Sequence, residues 1–233
     1  MFVTKELLKE KGACSPGTRA FMARFPDGAE YQDVLDALAA ENRVDWALWL
    51  MDKLGSTTAV MEVNELDIEA SLFFAGKIVV KGAIKIAKWL LTGRGIEAGN
   101  GIKAGDGIEA GEGIKAGWRI EAGGGIEAGW GIEAGEGIKA DGGIEAGWGI
   151  EAGGGIKAGE GIKAGGGIKA GEGIKAGWGI EAGWGIEAGE DYGIYAGLKI
   201  RISRKKEYAT IKAKTKPENI VCGEFVESEA DNE

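Results

Sequence analysis

Isoleucine recurs at every sixth position sixteen times without interruption, from Ile96 through Ile120, Ile144 and Ile168 to Ile186. Alanine always stands two residues later, and Glu or Lys always stands between them. This apolar, charged, apolar alternation puts Ile and Ala on one face of a short strand and the charge on the other. The next three positions read Gly, variable, Gly, broken inside the block only by Arg119 and Asp141. Paired glycines predict a tight corner, where Gly supplies the positive backbone angles that other residues resist. A helix is excluded, because two glycines per hexad would cost about 2 kcal/mol against Ala. The pattern predicts a mainly β, single-chain β-solenoid (β-helix) of hexapeptide repeats. Three hexads make a triangular, 18-residue coil wide enough for Ile and Ala. Two hexads, a 12-residue coil, would press opposed sheets closer than the roughly 10 Å of packed faces.

The flanks read differently. Residues 1–58 predict a helical N-terminal cap domain: KELLKEK after Thr4, GTRAFMARF after Ser15 and Pro16, YQDVLDALAAE, and VDWALWLMDKL ending at Gly55. These helices are expected to dock on the first coils and close that end. Residues 59–94 continue the six-residue phase with fatter side chains, through Ile78, Ile84 and Leu90, as irregular first coils before the uniform block, 95–190. After the two-residue insertion Asp191–Tyr192, Ile194 and Ile200 resume the spacing. The strands LKIRIS, YATIKAK and NIVCGEFVE then predict a C-terminal β cap with a basic strand over 191–225, followed by an acidic tail, 226–233.

Composition removes several functions. The 44 glycines come with only three prolines and no three-residue period, so the chain is not collagen-like. No histidine occurs, which removes the commonest general base, the Ser-His pair and the usual transition-metal ligand. Cys14 and Cys222 lie at opposite ends, cannot form a zinc cluster, and are expected to be reduced thiols. The fragment Gly111–Ala116 matches a relaxed dinucleotide fingerprint but recurs within the hexad with no helix after it, and no P-loop sequence exists. Hexapeptide acyltransferases place a small residue two before the aliphatic one, whereas here Ala lies two after Ile. The expectation is therefore a protein that is no enzyme, with no cofactor and no metal. No apolar run approaches the roughly 20 residues of a membrane span, and the start MFVTKELLKEK carries no signal-like stretch, so a cytoplasmic location is expected.

Two surfaces are candidates for binding. In an 18-residue coil, Trp130, Trp148 and Trp184 share one edge, with Gly166 at the missing rung, and Glu127, Glu145 and Glu181 stand on the side that leads into it. A row of exposed tryptophans is a protein-recognition surface, since Trp is enriched in binding hot spots; the alternative is that the rings shield the edge or tile on one another. Direct nucleic-acid binding by the chain is not expected, because base stacking wants nearby positive charge and the side beside these tryptophans is acidic. The second candidate is the basic strand with Lys199, Arg201, Arg204, Lys205 and Lys206, whose lysines would equally block edge pairing.

The run KELLKEKGACSPGTRAFMARFPDG, then DWALWLM, then GIEAG and GIKAG units, resembles a group of uncharacterised bacteriophage and prophage proteins with a short helical start before a low-complexity repeat. That resemblance implies a phage-encoded accessory protein in the host cytoplasm and carries over no catalytic residues. At fold level the solenoid is loosely similar to bactofilins. The expected function is a rigid, non-enzymatic, protein-binding solenoid with a host or phage partner. The alternatives are inhibition of a host nuclease or nucleic-acid-binding complex by partial DNA mimicry, and self-assembly.

Overall fold

The computed structural model describes residues 1–199 and 209–228. Most of the expected strand LKIRIS, with Ile200, and the end of the acidic tail lie outside the described residues.

Each hexad contributes one three-residue strand, and successive strands join three different sheets in turn. The partner of any strand is therefore three hexads along: Ile102 pairs with Ile84 and Ile120, Ile108 with Ile126, and Ile114 with Ile132. The result is a β-solenoid of about nine turns, with parallel sheets of eight, nine and nine strands. We call the sheets faces I, II and III; they begin at Val60–Val63, Leu66–Ile68 and Leu72–Phe74. Parallel strands cannot be joined by a short hairpin, and here the strands on the other two faces serve as the crossover. Ile and Ala of the hexads point inward and are buried, and the charged residue between them points out.

Glycine is needed at the corners for a reason other than the expected one. None of the glycines with positive φ lies in the uniform block: they are Gly12, Gly28, Gly55, Gly197 and Gly223. Instead the first glycine of each corner lies against the carbonyl group one turn earlier. A Cβ on Gly117, Gly135 or Gly147 would run into the oxygen of Gly99, Gly117 or Gly129. Asp141 is the exception in the block.

The irregular positions are absorbed locally. The first pair on face I is one residue short, Val60 against Lys77. The Asp191–Tyr192 insertion bulges out so that Ile194 still stacks on Ile174. NIVCGEFVE forms two strands, Ile220–Cys222 on face II and Glu224–Glu227 on face III, because Gly223 turns the corner at φ +122°. Both continue their stacks in parallel.

Four helices precede the solenoid: α1 (Lys5–Glu10), α2 (Ser15–Arg24), α3 (Tyr31–Ala40) and α4 (Val44–Leu54). Thr4 caps α1 through a bond from the Leu7 N–H, and Cys14 accepts from Gly17 at the start of α2. A two-residue ribbon, Phe2–Val3 with Ala29–Glu30, too short to leave a periodic signal, ties the start of the module to the junction of α2 and α3. The cap works on one side. Phe73 and Leu91 hold outward positions on face III, where later turns carry Glu109 and Glu127, and they are buried with Val3, Leu8, Phe21, Tyr31, Leu35 and Leu50 of the module. The Gln32 side chain donates to the Phe73 carbonyl and accepts from the Ala75 N–H, taking the place of a missing neighbour strand at that edge. Ser71 donates to Asn42 at 2.6 Å as a further tie. The inward Met61, Val63, Leu66 and Ile68 of the first turn pack on the solenoid core and stay half-buried.

The rung contact makes the two corner glycines unequal. Gly147→Ala must displace the rung below and is expected to cost about 1–3 kcal/mol, as overpacking does. At Gly149 the added Cβ would sit 3.3 Å from the Gly167 oxygen, and the Ala gains from a less flexible unfolded chain. Chemical denaturation midpoints of the two variants should separate, with Gly149→Ala near the parent and Gly147→Ala clearly below it.

Candidate binding surface

The corners stack as straight columns. Between faces III and I the Trp148 N–H donates to the Trp130 carbonyl at 3.0 Å, Gly166 to Trp148 at 2.9 Å and Trp184 to Gly166 at 3.2 Å. Trp130, Trp148 and Trp184 therefore share one edge, rungs apart by about 4.8 Å. Their side chains are open: the residues are 59%, 74% and 69% exposed. Rings that tiled on one another would be mostly covered. Earlier on the same edge the variable position carries an ion pair instead, Arg94 to Glu112 at 2.9 Å.

The tryptophans overlook face I. A groove of about 750 Å³ runs there, with Trp130 and Trp184 on one wall. Its floor is bare backbone at Gly131, Gly149, Gly167 and Gly185, and Lys115, Glu133, Glu151 and Lys169 rise from the strands beyond. Glu127, Glu145 and Glu181 stand on face III, across the edge from this groove. They line a separate groove of about 560 Å³ with Trp89 and Trp178. The structure thus brings the three tryptophans together and sets the three acids on the opposite flank. Two of those acids already have partners, Glu145 with Lys163 at 3.0 Å and Glu181 with Lys212 at 3.5 Å. The hexad spacing identifies the row, but which flank a ring overhangs depends on how the corner turns.

Of the second candidate set, Lys199 donates its N–H to the Gly177 carbonyl at 2.9 Å, beside the corner between faces II and III. Arg201, Arg204, Lys205 and Lys206 lie outside the described residues.

The helical module has its own hollow, about 330 Å³, lined chiefly by apolar side chains that include Phe21, Phe25, Leu38, Trp46 and Trp49. Arg24 and Glu41, paired at 2.8 Å, stand at its rim, and Arg43 lies 3.5 Å over the Trp46 ring. Residues 1–57 match the family model described as the YdhT N-terminal domain. The match covers this module and stops before the first solenoid strand. No curated protein and no solved structure matches the chain. Among the described residues no helix is long and apolar enough to cross a membrane.

One carboxylate is out of balance. Glu109, a rung beyond Leu91 and in the groove beside Trp89, has its pKa pushed up from 4.5 to about 7, first by burial and then by the charge of Glu127. The folded chain holds this proton more tightly than the unfolded one, so stability falls as pH rises from about 4.5 to about 7. Glu109→Gln should flatten that part of the stability profile. The check is denaturation of both proteins at pH 5 and pH 8: the parent is expected to lose stability between them, and the variant to lose less.

Proposed function

We propose that the chain is a non-enzymatic accessory protein of the phage type, a rigid β-solenoid that binds another protein along the Trp130, Trp148 and Trp184 edge. The observation that carries this reading is the exposure of all three indoles in one column beside an open groove. Contiguous exposed apolar surface marks interaction sites, and Trp anchors are the commonest hot spots. The backbone under each ring is hydrogen-bonded to the neighbouring rungs, so little backbone ordering is left for binding to impose. The mixed row of Lys115, Glu133, Glu151 and Lys169 supplies a polar rim. The partner that suits this surface is a protein with apolar side chains flanked by both signs of charge, in the host cytoplasm. The likeness to phage repeat proteins supports the accessory role.

The test is affinity purification from infected host cells with the parent and the Trp130→Ala, Trp148→Ala, Trp184→Ala triple variant in parallel. A hot-spot loss of about 2 kcal/mol is roughly 30-fold in affinity, so the partner held by the parent should be lost by the variant, with unchanged circular dichroism. A variant that retains the partner overturns the reading. A partner whose affinity collapses with added salt would favour nucleic-acid mimicry instead.

A further inference from the structure

The three faces neutralise their outward charges differently. On face I, Lys77, Lys115 and Lys169 each reach a glutamate on an adjoining rung, Glu97 at 2.7 Å, Glu133 at 2.8 Å and Glu187 at 3.6 Å. On face III, Lys163 and Lys212 do the same. Face II departs from this arrangement. Lys139, Lys157 and Lys175 are stacked in register on three successive rungs, and among the described residues none of them has a carboxylate partner. Lys103 and Lys85 extend the row in register towards the first turns, Lys85 lying 3.7 Å from Asp67. The one acid inside the row, Glu121, is bound at 3.2 Å by Arg119, the residue that replaces a corner glycine.

Like charges directly opposite one another destabilise a sheet. The fold does not require them, since Glu and Lys exchange freely at this outward position along the repeat. An anion laid along the row would relieve the repulsion. The row is also narrow, because Glu136 and Glu172 stand on one bordering corner and Asp106, Asp141 and Glu160 on the other. A duplex would hang its second backbone over those acids, whereas one extended strand would not. Aromatic rings accompany the cations. Tyr192 and Tyr195 line a groove of about 780 Å³ together with the three lysines, Lys175 lies 5.3 Å over the Tyr195 ring, and Trp118 beside Arg119 is 59% exposed. A cationic track with stacking platforms is how single strands are held without sequence readout.

We propose that face II is a binding site for single-stranded nucleic acid, with Lys103, Lys139, Lys157 and Lys175 along the phosphodiester backbone and Tyr192 and Trp118 as stacking platforms. The expectation against nucleic acid arose at the Trp130 edge, whose neighbouring side is acidic; face II has the cations that edge lacks. The site is independent of protein binding at that edge.

The test is fluorescence anisotropy of a labelled oligothymidylate with the full chain across a salt series. Three to four phosphate contacts predict a slope of log K against log salt of about −2 to −3. Lys139→Gln, Lys157→Gln, Lys175→Gln together should weaken binding at least tenfold (~1.4 kcal/mol) and flatten the slope by about 2. Lys115→Gln with Lys169→Gln, on face I, should change neither. The proposal is overturned by no binding at low salt, by unchanged affinity in the triple variant, by a duplex that binds as tightly as the single strand, or by polyglutamate or a polyuronate binding more tightly than the oligonucleotide.

Discussion

The structure depends on the contact of one corner backbone with the corner one turn earlier. With a first glycine such as Gly117 lying against the Gly99 carbonyl, adjacent turns come close enough for each strand to bond those above and below, and in the uniform block Asp141 alone carries a side chain at that position. The contact also forbids drift. An extra or missing residue would move a glycine off its partner, so the repeat tolerates no insertion until Asp191 and Tyr192, where the excess is pushed outward and Ile194 still lands on Ile174. Strict vertical register turns a one-dimensional period into two-dimensional rows. Whatever recurs at every third hexad becomes a stripe on the surface.

A stack held only by nearest-neighbour contacts is weakest where a turn has one neighbour instead of two. At the start of face III the weakness is met by the helical module. Phe73 and Leu91 extend its apolar core, and the Gln32 amide presents to the Phe73–Ala75 backbone the donor and acceptor that another strand would have offered. The module covers the side of the first turns and one edge. The charged residues around the remaining first strands, Glu62, Glu65, Asp67 and Glu69, are all acidic, which discourages edge-to-edge pairing with a second copy.

Above this scaffold the three faces carry different chemistry on the same backbone. Face I combines paired charges with an aromatic wall, face II carries lysines and tyrosines, and face III runs from the apolar docking patch through Glu109 and Glu127 to paired charges. The core is indifferent to these choices because Glu and Lys both point outward between the same Ile and Ala. Surface chemistry is free to vary by face, and a conformationally fixed lattice presents it at rung spacing.

Much of this was legible from residues alone. The Ile, charge, Ala alternation determined the strands and the inward face, and the volume of Ile and Ala determined three hexads per turn. Helix boundaries followed from Thr4, Ser15, Pro16 and Gly55, and with three hexads per turn Trp130, Trp148 and Trp184 had to share an edge. Other features depended on distances through space, which no local pattern encodes. The corner glycines looked like positive-φ residues, but their need is set by the carbonyl of another turn. Docking of the helices over the apolar first coils near Phe73 was legible, but burial of the outward Leu91 beside it on face III was not. The tryptophans and Glu127, Glu145 and Glu181 were neighbours in sequence, yet the direction of the corner puts the groove of the one on face I and the groove of the other on face III. Spacing determines which residues line up; only the folded backbone decides which way they face and what lies against them.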